Sequence, residues 1–135
     1  PDSRFGIPAA KLGLGYEYEG LAKLARLVGP SRARDIMFSA RFMPASEALG
    51  MGLINFIEAR DDIEEACVAY AKTIADNAPL TVKAAKAAIN AWERGSRSDE
   101  VDAVKAMVDA CFNSEDYREG RKAFAAKRKP EFKNR

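Results

Sequence analysis

Histidine is absent from this chain of 135 residues, and its absence restricts the chemistry that the side chains can perform. Histidine-containing zinc sites and Ser–His or Cys–His nucleophilic pairs are excluded within this segment, because each of them requires an imidazole. Acid or base catalysis by the chain's own side chains therefore has to use a carboxylate, a lysine, a tyrosine or a thiol.

Cysteine is scarce, with only Cys67 and Cys111 in the chain. The two positions are far apart in sequence, and each falls on the apolar stripe of a predicted helix. This placement predicts buried, reduced thiols rather than a disulfide or a metal pair. Reduced thiols in turn indicate a reducing compartment, either the cytosol or an organelle matrix.

Long hydrophobic runs are also lacking, although 47% of the residues are hydrophobic. No apolar stretch approaches the roughly 20 residues that span a bilayer, so we expect no membrane partner. The first residues contain no initiator methionine, basic region or apolar leader, and they enter a strand-like stretch at Phe5. We therefore expect the chain to be part of a longer protein.

Helical periodicity dominates residues 59–135. Apolar side chains recur with a helical period after Asp61 and Asp62, Pro79 opens a helix predicted over 79–94, and Ser98 and Ser114 signal two further helix starts. The last of these helices is predicted to extend to about Lys127. Residues 1–58 are predicted to be rich in loops, with short helices at 21–28, after Pro30 and at 45–49, and with extended segments at 5–7, 42–43 and 53–57.

Residues 5–20 form a glycine-rich stretch, "FGIPAAKLGLGYEYEG". Its four glycines predict a loop rather than a helix, and they allow the backbone to approach a ligand closely. The stretch lacks the Lys-Ser ending of a phosphate-binding P-loop and the glycine spacing of a dinucleotide fingerprint. These residues alone leave open whether Glu17 and Glu19 belong to a ligand site or to a solvated turn.

The C-terminal end is strongly basic, although the net charge of the chain is only +2. Residues 118–135 contain eight lysines or arginines and two glutamates, a local net charge of +6. Such a segment favours an anionic partner, although a solvated terminal helix explains the composition as well. No nucleic-acid-binding motif accompanies it, so we expect no nucleic-acid partner.

Several short motifs, in order and without obvious gaps, carry a resemblance to a known family. The chain resembles the C-terminal half of a member of the enoyl-CoA hydratase/isomerase (crotonase) superfamily, and the resemblance extends over essentially all of it. The motifs are Phe5-Gly6-x-Pro8, Leu12-Gly13, Gly20, Leu24-x-Arg26-Leu27-Val28-Gly29, Ala45-x-Glu47-Ala48-x-x-x-Gly52-Leu53-Ile54-Asn55, Lys86 and Arg118-Glu119-Gly120-x-x-x-Phe124-x-x-Lys127-Arg128-Lys129-Pro130-x-Phe132.

This resemblance implies an α/β fold of the crotonase type, a spiral of ββα turns. Residues 1–58 would be the end of the spiral core, and residues 59–135 a mostly helical region used in trimer contacts. The missing N-terminal half of the same protein would supply the two backbone N–H groups of the oxyanion hole. The expected assembly is a homo-oligomer, a trimer or a hexamer.

The resemblance also assigns candidate site residues. Pro8, Ala9, Leu14 and Tyr16 would line the floor of the acyl pocket. The family places a catalytic glutamate where this chain has Ala9, and a methyl group can neither hold a water molecule nor deliver a proton. Glu17 corresponds to an acidic residue of the family's dienoyl-CoA isomerases, so it is the candidate catalytic residue, with Glu19 as the alternative.

The same resemblance assigns Phe124 and Lys127 to the adenosine end of coenzyme A. An aromatic face next to an ammonium group suits a purine next to a phosphate. Coenzyme A would enter as part of the substrate, and the resemblance implies no permanently bound cofactor and no metal. Lys86 is interpreted as a surface residue of its helix, and Trp92 as a core residue.

The implied function is hydration or double-bond isomerisation of an enoyl-CoA thioester in fatty acid metabolism, in a bacterial cytoplasm or the mitochondrial matrix. Two alternatives stay open. Ala9 favours a non-catalytic acyl-CoA-binding protein that keeps the fold but lacks the second glutamate. The helical content alone is also compatible with an oligomerisation module.

Overall fold

The computed structural model describes residues 1–135 and contains eight helices and two short strands. The chain forms two compact units, Pro1–Ala66 and Cys67–Arg135. None of the helices combines the length and the hydropathy that crossing a bilayer requires. The predicted roles of residues 1–58 and 59–135, as the end of a spiral core and a trimerisation region, stay predictions, because compactness alone does not assign a role.

The first unit alternates short helices with extended backbone. Its two strands pair in antiparallel register, with Arg4 opposite Pro44 and Phe5 opposite Met43. This pairing confirms the extended segments predicted around Phe5 and Met43. The elements of the unit are β1 (Arg4–Phe5), α1 (Ala9–Leu12), α2 (Tyr18–Val28), α3 (Pro30–Ser39), β2 (Met43–Pro44) and α4 (Ala45–Gly50).

A small hydrophobic core holds the first unit together. Ile36 of α3 and Met43 of β2 are its largest fully buried side chains, and half-buried residues such as Leu24 of α2 pack against it. Proline marks the start of α3, as predicted, because its fixed φ suits the first helical position and its missing N–H costs nothing there.

Two predictions for the first unit are wrong. Residues 53–57 are irregular rather than a strand: the unit's only sheet is the β1–β2 pair, and an extended segment needs a partner for its backbone. Residues 5–20 are not a continuous loop either. Ala9–Leu12 form the short helix α1, which Gly13 ends with a positive φ of 65°, and α2 already begins at Tyr18.

The second unit is helical, and α5 crosses from the first unit into it. Its helices are α5 (Ile63–Ala75), α6 (Pro79–Glu93), α7 (Ser98–Asn113) and α8 (Glu115–Ala125). Helix α6 packs against α7, and its two buried residues, Ala84 and Ala91, have small side chains. The predicted cap of α8 is also present, because the Ser114 hydroxyl accepts the backbone N–H of Tyr117 at 3.0 Å.

Burial in the second unit departs from the prediction. Both cysteines are free thiols, as expected, but Cys67 is exposed and Cys111 is only half-buried. Trp92 is 65% exposed and is not a core residue, whereas Lys86 lies on the surface as predicted. Helical periodicity identifies an apolar face, but it does not say whether another element covers that face. Helix α5, for example, buries none of its residues completely.

Candidate functional site

The predicted acyl-pocket segment begins with a buried residue at the start of α1. Ala9 is 3% exposed, and its carbonyl oxygen accepts the backbone N–H groups of Gly13 and, at 3.0 Å, of Leu14. Pro8, which precedes it, is exposed. The position that holds a glutamate in the family pattern is thus a well-packed methyl group, and it contributes no ionisable atom.

Beyond α1, the segment holds apolar side chains at the surface. Leu14 is 59% exposed and Tyr16 is 47% exposed. A Cβ atom added to Gly15, between them, would have no neighbour within 4 Å. The structure therefore brings Leu14 and Tyr16 onto one short stretch of accessible backbone, where an apolar ligand could contact both.

Glu17 occupies the junction between this stretch and α2. It is the N-cap residue of the helix, with extended backbone, and its carbonyl oxygen accepts the N–H of Leu21 at 3.3 Å. Its side chain is exposed and does not cap the helix. Glu19 lies in the first turn of α2, whereas Glu17 precedes the helix. Glu17 has a carboxylate that no residue of the chain engages.

The second candidate surface lies at the end of α8, in the second unit. Phe124 is 89% exposed, and Lys127 follows the helix in a left-handed conformation with φ of 51°. The N–H of Lys127 donates to the carbonyl of Phe124 at 3.2 Å, and the N–H of Arg128 donates to the carbonyl of Ala123 at 3.0 Å. This pattern is a Schellman motif, in which the left-handed residue is usually glycine. Lysine there costs about 1 kcal/mol.

An apolar groove runs beside Phe124. It has a volume of about 660 Å³ and lies among α6, α7 and α8. Phe132 of the C-terminal tail (residues 126–135) also lines it and lies over Gly120, where an added Cβ would be 3.5 Å from the Phe132 ring. Phe124 therefore stands at the rim of an apolar surface, next to the basic tail.

Most cations of the tail are already engaged by carboxylates. Arg128 forms a two-pronged ion pair with Glu119, with N–O distances of 2.6 and 2.9 Å. Lys129 pairs with Asp76 at 2.5 Å, and Arg135 pairs with Glu115 at 3.0 Å. The charge that is available to an anion is thus much smaller than the composition of the tail suggests.

Lys127 differs from these cations, because no carboxylate of the chain pairs with it. Its exposed ammonium group is separated by one turn from the exposed ring of Phe124. Phe124 and Lys127, the residues that the family resemblance assigns to coenzyme A, are joined through their backbones at the helix end, and their assignment stays a prediction.

Sequence reasoning missed the pair Glu119 and Arg128. The guanidinium of Arg128 and the backbone N–H of Glu131 both hydrogen-bond to the Glu119 carboxylate and lower its pKa to about 2. The same ion pair raises the pKa of Arg128. The two residues are nine positions apart, so no helical spacing connects them, and only the reversal of the chain at Lys127 brings them together.

A metal centre finds no support in the chain. No cluster of three or more cysteine, aspartate and glutamate side chains is arranged to hold a metal ion.

The two candidate surfaces lie in different units of the chain. The acyl-pocket segment belongs to the first unit, and the Phe124–Lys127 surface belongs to the second.

Comparison with protein families gives a match along the whole chain. The family model described as "Enoyl-CoA hydratase/isomerase" matches residues 1–135. A short-chain-enoyl-CoA hydratase of Clostridium acetobutylicum is 38% identical over 99% of this chain and 52% of its own length. A methylmalonyl-CoA decarboxylase of Escherichia coli is 31% identical over 96% of this chain and 51% of its own length.

Solved structures give the same picture. An enoyl-CoA hydratase from Bacillus anthracis matches 98% of this chain with a TM-score of 0.83 and 28% identity, and one from Mycobacterium tuberculosis matches 99% with a TM-score of 0.81 and 30% identity. The matches cover 52% and 53% of those chains. The chain spans about half the length of these relatives. These likenesses confirm the fold that the sequence motifs predict.

Proposed function

Because this chain belongs to the enoyl-CoA hydratase/isomerase family, we propose that it serves an enzyme that hydrates or isomerises the double bond of an enoyl-CoA thioester. One observation supports the proposal: Lys127 pairs with no carboxylate and follows the exposed Phe124 by three residues at the end of α8, in a tail where carboxylates hold Arg128, Lys129 and Arg135. Lys127 would bind a phosphate of coenzyme A, and Phe124 would contact the adenine ring.

The acyl chain would lie against the other candidate surface. Pro8 and Ala9 would form its base, and the exposed side chains of Leu14 and Tyr16 would lose contact with water when the chain binds. Burial of such apolar surface contributes roughly 25 cal/mol per Å². Binding at this surface therefore requires no charged contact to the acyl part of the substrate.

Glu17 would perform the proton transfer. For isomerisation a single carboxylate is sufficient, because the same group removes a proton from one carbon of the acyl chain and returns it to another. Hydration needs two groups, one that holds the attacking water and one that protonates the alpha carbon. Ala9 cannot supply the second group, so Glu17 alone favours isomerisation over the two-glutamate hydration.

A second function is favoured by the same alanine. Ala9 is buried and lacks a carboxylate, which suits a protein that binds acyl-CoA without converting it. In both cases we propose a homo-oligomer, a trimer or a hexamer, acting in fatty acid metabolism in a cytoplasm or a mitochondrial matrix. The exposed apolar groove beside Phe124 supports an assembly, because such surfaces mark contact sites.

Assays of the full-length protein with three substrates test the proposal: crotonyl-CoA, a 3-enoyl-CoA and a dienoyl-CoA. We expect isomerase activity that Glu17→Gln reduces by at least about 100-fold, as is typical when a general acid or base is lost. Glu19→Gln removes the alternative carboxylate, and we expect it to keep the activity; a loss of activity in this variant instead of Glu17→Gln would assign the proton transfer to Glu19. Turnover of none of the three, with acyl-CoA still bound, would support the binding protein instead.

A further inference from the structure

The conformation of Lys127 requires an explanation, because a lysine occupies a position that favours glycine. Its φ is 51°, and the two backbone hydrogen bonds of the helix end, from Lys127 to Phe124 and from Arg128 to Ala123, fix the turn. Non-glycine residues in such conformations persist only where surrounding contacts hold them, and they occur often at functional sites. Contacts of the residues next to Lys127 should therefore hold it in place.

Those contacts converge on the carboxylate of Glu119. Its Oε1 accepts Arg128 Nη1 at 2.6 Å and the backbone N–H of Glu131 at 3.1 Å, and its Oε2 accepts Arg128 Nη2 at 2.9 Å. Arg128 Nη1 also donates to the carbonyl of Lys129 at 3.1 Å. One side chain of α8 thereby ties down the residues that directly follow Lys127, and the turn cannot relax toward extended backbone while these bonds hold.

We infer that Glu119 and Arg128 are positioning residues for the 3′-phosphate of coenzyme A: their ion pair holds the turn that presents the ammonium group of Lys127. This inference rests on the proposed function, in which Lys127 binds a phosphate of coenzyme A, and it assigns that phosphate to the 3′ position. Neither residue touches the ligand. Glu119 also neutralises Arg128, so the phosphate meets the single free cation of Lys127 instead of two neighbouring ones.

The two ways in which Glu119 could influence an anion predict opposite results. Removal of its negative charge by Glu119→Gln would strengthen the binding of any anion if only the net charge of the tail mattered. If the carboxylate positions Lys127, the same change lowers the preference of the protein for a substrate that carries the 3′-phosphate over one that lacks it. Arg128→Lys gives a second test, because it keeps the charge but cannot form the two-pronged pair.

The experiment compares the KM of the full-length protein for an enoyl-CoA and for the matching thioester of 3′-dephospho-CoA. The parent protein should prefer the enoyl-CoA by about tenfold, the size of one charge-assisted hydrogen bond. Lys127→Ala should abolish this preference. Glu119→Gln and Arg128→Lys should each reduce it at least about threefold while kcat with the dephospho substrate stays at the parental value, a split that a general loss of structure would not give.

Lys133→Ala is the matched control, since it removes one charge from the same tail and keeps the backbone N–H that Lys133 donates to Asp116 of α8. We expect it to keep the parental preference. If Lys127→Ala loses the preference but Glu119→Gln and Arg128→Lys keep it, the positioning role is overturned and the phosphate contact stands. If the parent protein shows no preference, both are overturned, while turnover of the enoyl thioesters still tests the proposed reaction separately.

Discussion

The carboxylate of Asp116 accepts the backbone N–H of Lys133 at 2.6 Å, and this contact joins the first turn of α8 to the C-terminal tail. Its other oxygen accepts the N–H of Asn134 at 2.8 Å, and the N–H of Asp116 donates to the carbonyl of Arg135 at 3.0 Å. Asp116 is 3% exposed. The tail is therefore an ordered part of the second unit, held by Asp116 at one end and by Glu119 nearer to Lys127.

The first prediction concerns Asp116. In Asp116→Asn, the side-chain NH₂ faces a backbone N–H that then has no acceptor, and a buried unsatisfied donor costs about 1–3 kcal/mol. We expect the free energy of unfolding to fall by that amount, and the amide protons of Lys133 and Asn134 to exchange faster with solvent. Denaturant unfolding and hydrogen exchange measure the two effects.

Glu115→Gln is the control for this substitution, because Glu115 precedes Asp116 in the same turn. Its ion pair with Arg135 is largely exposed, with side chains 61% and 65% accessible. Such pairs contribute between about 0 and 1 kcal/mol. Equal losses of stability in Glu115→Gln and Asp116→Asn would contradict the role of the buried hydrogen bonds.

A second prediction follows from the close approach of Gly6 to the segment before β2. A Cβ atom at Gly6 would lie 2.6 Å from the carbonyl oxygen of Arg41 and 3.1 Å from Cδ1 of Phe42. Gly6→Ala should therefore shift the backbone next to the β1–β2 pair and lower the free energy of unfolding by about 1–3 kcal/mol. A Cβ at Gly50, in contrast, has no neighbour within 4 Å, so Gly50→Ala should not destabilise the protein.

The third prediction concerns the pH dependence of stability. The pKa of Glu119 falls from an ordinary value of 4.5 to about 2 in the folded protein, because Arg128 and the N–H of Glu131 stabilise the charged form. A lowered pKa stabilises the fold above pH 4.5, and this contribution is lost as the pH falls from about 4.5 to about 2. Unfolding free energies in urea should therefore differ between the parent and Glu119→Gln at neutral pH and converge in that acidic range.

The comparison with Glu119→Gln isolates this residue from other acidic groups. Glu47 also has a lowered pKa, through its ion pair with Arg41, and this pair is present in both proteins. Its pH dependence therefore cancels in the difference. A constant difference between parent and variant from pH 7 to pH 2 would mean that the Glu119 ion pair does not stabilise the fold.

Features that depend on local chemistry could be predicted from the sequence. Pro30, Pro79 and Ser114 mark helix starts because their effects act within one turn of their own position. The role of Phe124 and Lys127 at the coenzyme stays a prediction, because the structure shows only that the two residues follow each other at the end of α8. Burial could not be predicted in this way. Periodicity carries no information on whether another element covers a helix face, and for this reason Trp92 is expected in the core although it is exposed.

Features that depend on distant parts of the chain could not be predicted. Residues 53–57 have the composition of a buried strand, but a strand also needs a hydrogen-bonding partner, which composition does not reveal. The ion pair of Glu119 with Arg128 depends on the left-handed turn at Lys127. No glycine marks that turn in the sequence, so the reversal that joins the two residues leaves no local signal.

The last prediction separates the binding role of Lys127 from its backbone cost. Glycine adopts a positive φ without strain, so Lys127→Gly should raise the free energy of unfolding by about 0.5–1 kcal/mol while it removes the ammonium group and weakens binding of coenzyme A. Lys127→Ala removes the same group but keeps the strain, so it should weaken binding equally with little change in stability. Calorimetry with coenzyme A and thermal unfolding measure the two quantities. A glycine variant that is no more stable than the alanine variant would mean that the turn is not strained, and unchanged binding in both variants would remove Lys127 from the coenzyme site.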